Sequence, residues 1–593
     1  MKIMRGILCF LAIAAAYMSV AAQDYDLVIV GGTPGGIMTA IEAARMGKTS
    51  VILERTGHIG GLPANGLGAT DIATRGATMG LFAEFTSAIK RYYADNYGAD
   101  SQQVRDCSDG FHFEPSVAEK VFGEMIAAEG ALIDVRPMRQ FNFSTGDISM
   151  TDDGIRITGI RVVNRLDGRD EYYRGRVFVD ATYEGDLGAA ARVPFRIGRE
   201  AAWEFDEPGA GRTYEYWKSM PAGGSTGEGD NAVQAYNYRL CLTRDTTQLI
   251  PFSKPERYDR SEYESLADDV WTGRHTWRAM RDVTPAMMDS NRVHLSRGGE
   301  RTIIPWDSWG IEKLVTINTE PNGKTDANNQ HAAFISTDLP EENWPWPTAS
   351  WEWRDRFARR LRDYTLGLFW FAATDSALPP QFRREIQQWG LSAQEYRDNG
   401  NFPRQVYVRE GRRFEGMYFF TAKDALPVTP GGRPPVHSTS ITASHYALDS
   451  HAARKRESGR VHLDGFISYP TAVYTVPYGV IVPKTVENLL LPVPVSGSHI
   501  GFSTLRMEPC WMALGQAAGA AAAIAIDSGA PVQSVSIDAL QRRLLDEGAT
   551  LIYFDDMRPG DEGFAEAQRL GLAGKIPGWS ARGAHAAKSL HTR

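Results

Sequence analysis

From Asp24 the chain reads DYDLVIV, and its polar start gives way to four consecutive apolar positions at 27–30. A glycine-rich stretch, GGTPGG at 31–36, follows directly. Next comes IMTAIEAARMG, apolar and small residues at helical spacing up to Gly47, and then TSVILE, ending at Glu54. A short apolar run bounded by turn residues predicts a buried parallel strand. Two such runs flanking a helical stretch predict a complete βαβ unit.

The same reading extends along the chain. Residues 114–130 have helical spacing, and 139–180 read as short strands with turns at Gly146, Asp153-Gly154 and Asp167-Gly168. The last of these strands, Val177–Val179, enters Asp180-Ala181-Thr182. Residues 351–372 predict an amphipathic, arginine-rich helix. Strands are expected at Tyr478–Val482 and Asn488–Val493, then a loop through Ser496-Gly497-Ser498-His499. The run CWMALGQAAGAAAAIAI from Cys510 predicts a helix able to approach its neighbours closely. Residues 540–593 read as a small basic appendage, frayed after Trp579.

The first 22 residues stand apart. Lys2 and Arg5 precede an apolar stretch at 6–16, and Val20-Ala21-Ala22 offers small residues to a peptidase. This predicts a signal peptide cleaved near Ala22 and an exported, periplasmic or secreted, mature chain. No other apolar run reaches spanning length, so no membrane span is expected after cleavage. The net charge of -8, without a dense basic stripe, argues against nucleic acid as partner. Cys107, Cys241 and Cys510 form no spaced framework, and no metal site is indicated.

The turn after the first strand fits a dinucleotide fingerprint with one departure. Gly31 permits the tight turn and Gly36 lets helix and strand pack, but Thr33 stands where the fingerprint has its middle glycine. With Gly32, Pro34 and Gly35 these residues lead into a helix N-terminus, whose free N–H groups suit a pyrophosphate. Glu54 ends the second strand, where an acid accepts from a ribose hydroxyl, and Arg55 follows it. Gly60 and Gly61 would let the next loop pass close to a flat ligand. The competing reading is an ordinary βα turn with Glu54 as a solvated strand end.

Further stretches carry a resemblance: VFVDATYEGD at 177–186, QAYNYR at 234–239, KTDANN at 324–329, QVYVREGRR at 405–413 and STLRMEP at 503–509. With the GGTPGG turn, the chain resembles a bacterial family of FAD-dependent oxidoreductases within the two-dinucleotide-binding-domain flavoprotein superfamily. The resemblance implies an α/β fold of glutathione-reductase type with a Rossmann FAD-binding domain; the residue pattern places that domain at 23–199 and 441–539, and the Trp- and Arg-rich stretch at 200–440 reads as a large inserted substrate domain. The resemblance also implies that Thr182 and Asp186 lie near the adenosine and that the helix containing Gly515 points at the flavin. No second fingerprint is visible, which favours a substrate that reacts directly with FAD.

The flavin's hydride chemistry needs a substrate C–H and usually a base for the accompanying proton. His499 is the expected base, with Arg506 and Arg409 expected to bind or stabilise charge; Glu410, Arg412 and Arg413 are second candidates. Residues 200–440 hold 12 of the 14 tryptophans. Trp344, Trp346, Trp351 and Trp353 would stack on a sugar face, or, as the more ordinary reading, fill a core between irregular segments. The expected substrate is a polar small molecule or glycan-derived alcohol, with a separate electron acceptor. The alternatives are a fumarate-reductase-type desaturase or reductase, and a glycan-binding protein that keeps FAD as a structural element.

Overall fold

The apolar run at 27–30 forms the inner half of strand β1 (Gln23–Val30), and SVIL forms β2 (Ser50–Leu53). Helix α1 (Pro34–Arg45) joins them, started by Thr33 as N-cap and by Pro34, whose missing N–H is harmless in a first turn. The computed structural model describes residues 23–214, 216–217, 221–276 and 283–576. The expected signal peptide and the frayed end after Trp579 lie outside these residues.

β1 and β2 pair in parallel, from Leu27 opposite Ser50 to Val30 opposite Leu53, and β3 (Ile133–Arg136) adds in parallel beyond β2. On the other side of β1, the chain makes β4 (Ile157–Asn164) and the long β5 (Asp170–Asp180). β5 runs parallel to β1, with Val30 opposite Asp180. Its outer edge is divided, the first residues pairing antiparallel with β4 and the last awaiting a strand from much later in the chain. A short helix α2 (Asp186–Ala190) follows β5.

Between residues 240 and 392 lies a separate five-stranded sheet, with neighbouring strands antiparallel. Its order is Leu249–Pro251, Gly390–Ser392, Leu240–Thr243, Lys324–Asn329 and Val315–Glu320. Helix α3 (Trp351–Thr374) begins at Ser350, whose hydroxyl accepts from the Trp353 N–H. Its buried face carries Phe357, Leu361, Leu368 and Phe371.

The chain then returns to the first sheet. β6 (Leu489–Leu490) pairs in parallel with β5, Leu489 opposite Phe178. It is shorter than the expected strand at 488–493. The strand expected at Tyr478–Val482 is instead a 3-10 turn at Tyr478–Ile481, set between Pro477 and Pro483. Prolines on both sides remove ladder donors, and a buried apolar run reads the same in either conformation.

Helix α4 (His499–Leu505) and helix α5 (Glu508–Ser528) follow. α5 lies so close to α1 that a Cβ at Gly515 would press into the Gly35 carbonyl, and one at Gly519 into the Thr39 carbonyl. The Thr39 hydroxyl bridges both helices, 2.8 Å from the Gly35 oxygen and 3.0 Å from that of Gly515. This contact accounts for the small residues of α5. Among the described residues α5 is the one helix long and apolar enough to cross a membrane, and 94% of that stretch is buried inside the protein.

Candidate functional site

The turn from β1 into α1 is built by its glycines and by Thr33. Gly31 takes φ +106°, and a side chain there would meet the Ala181 carbonyl at 2.7 Å. A Cβ at Gly36 would strike the Gly31 carbonyl, so both positions exclude larger residues. Thr33 departs from the fingerprint for a local reason. Its hydroxyl donates to Ala181 O at 2.7 Å and accepts from Gly36 N at 3.3 Å, capping α1 while tying it to the end of β5.

Glu54 occupies the expected place at the end of β2. One carboxylate oxygen accepts from Gly32 N at 2.9 Å, and the other from the backbone and hydroxyl of Thr56 at 2.7 and 2.9 Å. Burial pushes its carboxyl above the usual range, against these donors. Glu54 lines a cavity together with Gly31, Thr33, Arg55, Thr182 and Trp351. Arg55 grips Asp355 of α3 at 2.7 and 3.0 Å, and its guanidinium lies 4.0 Å from the centre of the Trp351 ring. Helix α3 therefore closes the cavity beside Glu54 and Arg55.

Trp346 and Trp351 belong here rather than on an open sugar platform. Trp346 is buried, edge-on to Tyr236, Phe357 and Trp351, and donates to Glu184 at 3.3 Å. Trp351 donates to Phe141 O at 3.0 Å. Asp186 borders the same cavity, but its carboxylate is held by Arg354 at 2.6 and 2.9 Å and by Arg412 at 2.6 Å. It serves as the anionic centre of a buried triad. Thr182 Oγ1 donates to Asp180 at 2.7 Å and accepts from Gly185 N at 2.9 Å, setting the turn.

Further in, Tyr183 stands between the cavity and the start of α5. Its hydroxyl accepts from Leu62 N at 3.1 Å and donates to Glu508 at 2.5 Å, and its ring lies 5.4 Å from that of Trp511. Gly61, at φ +52°, has no room for a Cβ between this hydroxyl and Pro34, and Gly60 N donates to Gly32 O at 2.7 Å. The second oxygen of Glu508 and the indole N–H of Trp511 are buried without a partner. Orphaned buried polar atoms beside a glycine cradle are what a bound dinucleotide would satisfy, so the residues fit such a group.

A second group of buried charges lies before α5. Tyr407 is surrounded by the guanidiniums of Arg239, Arg409 and Arg506, at 5.6, 4.6 and 5.9 Å from its ring centre. Arg506 donates to the Tyr407 hydroxyl at 2.8 Å and to Asp449 at 2.8 Å. Arg239 pairs with Asp326 and, at 3.3 Å, with Asp71. Arg409 pairs with Asp338 at 2.9 Å, and the other Asp338 oxygen meets His451 Nδ1 at 2.9 Å. His451 Nε2 is 3.6 Å from Asp449. Asp338 and His451 form part of the wall of another cavity, with His331, Phe334 and Phe466. Sequence reasoning missed His451, Asp338, Asp449 and Tyr407, because only folding brings 338, 407, 449 and 506 together.

His499 is not in a loop. It is the first residue of α4, 1% exposed, and both ring nitrogens are engaged, Nδ1 by Glu410 at 2.8 Å and Nε2 by the Ser450 hydroxyl at 3.1 Å. Its backbone N–H donates to Glu200 at 2.7 Å. Arg413 pairs with both Glu200 and Glu410 at 2.7 Å, so His499 lies within a closed buried network. Of the three expected catalytic residues, Arg506 and Arg409 meet around Tyr407, and His499 bonds instead to Glu410 and Ser450, the sequence neighbours of Arg409 and Asp449.

A family model described as FAD dependent oxidoreductase matches residues 26–544. Locally, the chain is 46% identical over 43 residues to the mitochondrial dihydrolipoyl dehydrogenase of Caenorhabditis elegans, covering 7% of this chain and 9% of that one. It is 37% identical over 54 residues to mitochondrial dihydrolipoyl dehydrogenase 2 of Arabidopsis thaliana, covering 9% and 11%. The chain thus spans about a tenth of the length of these curated relatives. Among solved structures, 3-ketosteroid-delta4-(5alpha)-dehydrogenase from Rhodococcus jostii matches at 17% identity and TM-score 0.19, over 33% of this chain and 52% of that one. The anhydrotetracycline hydroxylase OxyS from Streptomyces rimosus matches at 13% and 0.21, over 34% and 39%.

Proposed function

Since the chain belongs to the FAD dependent oxidoreductase family, we propose that it moves a hydride between a polar small molecule, such as a glycan-derived alcohol, and bound FAD. The cofactor supplies two-electron chemistry when bound. The 31–36 turn and the α1 N-terminus would hold its pyrophosphate, Glu54 its ribose, and Arg55 with Trp351 the adenosine end.

The observation that carries this reading is the position of Arg506. It lies two residues before α5, and its guanidinium joins Tyr407 to Asp449. Asp449 in turn faces His451 on the wall of a cavity. A chain of contacts, Arg506 to Asp449 to His451, therefore runs from the start of α5 to the wall of that cavity. In this arrangement Arg506 and Arg409 fix the acids, Asp338 holds His451 at Nδ1, and the Asp449–His451 pair, 3.6 Å apart at Nε2, takes the substrate's hydroxyl proton. His499 holds the network beneath. General-base assistance of this kind is worth about 10²–10⁴-fold.

The test is an anaerobic screen of polar alcohols, hydroxy acids and glycan-derived sugars, followed by flavin absorbance. Bleaching by one class supports the reading. A flavin left oxidised by all of them, in a protein that binds glycan, would favour the binding-only alternative. We infer also that the chain is exported and begins at Gln23 after cleavage. N-terminal sequencing of extracytoplasmic protein tests this, and an intact Met1 on cytoplasmic protein would sink it.

A further inference from the structure

The first turn of α5 carries two buried polar atoms without a hydrogen-bond partner, one on Glu508 and one on Trp511. Glu508 is its first residue and Trp511 lies three further on, so both project from one side of the helix start. Glu508 is 1% exposed and so is Trp511. One oxygen of Glu508 accepts from Tyr183 at 2.5 Å; the other has no partner, and neither has the Trp511 N–H. In a folded interior such groups are normally satisfied, and leaving one bare costs about 1–3 kcal/mol.

We propose that Glu508 and Trp511 form a pair of hydrogen-bond donors for an acceptor oxygen of bound FAD, reached past Tyr183. The proposal rests on FAD as the cofactor of this cleft. Three features point to a ligand rather than to packing. Tyr183 is itself a wall of the nucleotide cavity, so the pair lies directly behind that wall. At Gly61 the chain passes the Tyr183 hydroxyl as bare backbone, because a Cβ there would meet that hydroxyl at 2.3 Å and Pro34 Cδ at 2.9 Å. The α5 N-terminus adds the partial positive charge that favours an electron-rich group.

The carboxyl must be protonated to donate. Burial pushes Glu508 up to about 8, the Tyr183 hydroxyl opposes this, and Asp71 adds to it. Tyr183, from the turn after β5, and Asp71, from the loop after Gly66, are the titratable groups that act on it. Asp71 is itself paired with Arg239. The Tyr183 donation to one oxygen leaves the proton on the other, which is the unpartnered one. The sign follows: neutral Glu508 holds the ligand, and ionised Glu508 repels an electron-rich one. FAD affinity is therefore present below about 8 and falls as the pH rises through that value.

The experiment uses holoprotein equilibrated between about pH 6.5 and 9.5, with released FAD read by its fluorescence on dilution. For the wild type the dissociation constant should rise by up to about tenfold per pH unit above about 8. Glu508→Gln keeps a neutral donor, so it should bind within about threefold of wild type at low pH and show no such rise. Trp511→Phe should bind about tenfold more weakly at every pH and keep the slope, as expected for one lost hydrogen bond. Far-ultraviolet circular dichroism confirms folding of each variant. A wild type without pH dependence, or a Glu508→Gln protein with the wild-type slope, overturns the proposal, and unchanged binding by Trp511→Phe removes the indole from it. A wild type that never carries FAD would instead overturn the cofactor assignment, which keeps the two failures apart.

Discussion

Arg354 grips both oxygens of Asp186, at 2.6 and 2.9 Å, and so fastens α3 to the turn that leaves the central strand of the nucleotide-binding sheet. Arg412 takes the same carboxylate from a third segment. Three parts of the chain meet at one acid, the two arginines lying 168 and 226 residues from it in sequence.

Replacing that acid should therefore be severe. Asp186→Ala leaves two buried guanidiniums uncompensated, and breaking a buried pair in this way costs roughly 3–5 kcal/mol. Thermal and urea unfolding should show the loss, together with reduced FAD occupancy, because α3 also walls the cavity beside Glu54. A variant with wild-type stability would show that the triad does not hold the two parts together.

Gly36→Val should abolish flavin binding. The new side chain would meet the Gly31 carbonyl across the turn and Ala181 beyond it. The purified variant is expected to be colourless, and one that keeps a full complement of FAD would refute the cradle.

The two histidines should behave differently. His451→Gln should fold, keep FAD and lose about 10²–10⁴-fold in the rate of substrate-driven reduction. His499→Ala removes a partner from buried Glu410 and should lower stability by about 1–3 kcal/mol, with reduction per bound flavin near wild type. Anaerobic stopped-flow measurement per bound flavin separates them, and the reverse pattern would return the base to His499.

Glu207 supplies a pH test of stability. It is 4% exposed, one oxygen has no partner, and burial pushes its carboxyl up to about 7 against donors from Ser498 and Ala422. The folded state thus binds this proton more tightly than the unfolded state. Its contribution is full below about 4.5 and is lost as pH rises to about 7. The whole effect is about 3 kcal/mol by linkage. Urea unfolding at the two ends of that window should show the decline in wild type and a smaller one in Glu207→Gln, and equal declines would disprove it.

The βαβ unit at 23–54 was legible because all its signals are local: apolar runs, turn glycines, a cap and a terminal acid. Thr33 was harder, since its use depends on Ala181. The arginines were visible as a group at 409–413, but not as buried ones. Their partners, Asp338, Asp186 and Glu200, lie 71 to 226 residues away and are brought in only by folding. The tryptophans were visible as a cluster, while their place beside Arg55 depends on α3 crossing the cleft. His499 followed a reasonable local signal, yet Glu410 and Ser450 approach it from elsewhere and engage both nitrogens.

The strand at 489–490 completes the edge of β5 more than 300 residues after β5 itself is made. The pairing of β1 with β2 is local, whereas the pairing of β5 with β6 joins segments separated by the whole of residues 181–488. Pairings of such long range form late, because the intervening loop must first be closed. The local βαβ unit is thus expected to form first, and the edge of β5 to close only once the long intervening segment has folded back.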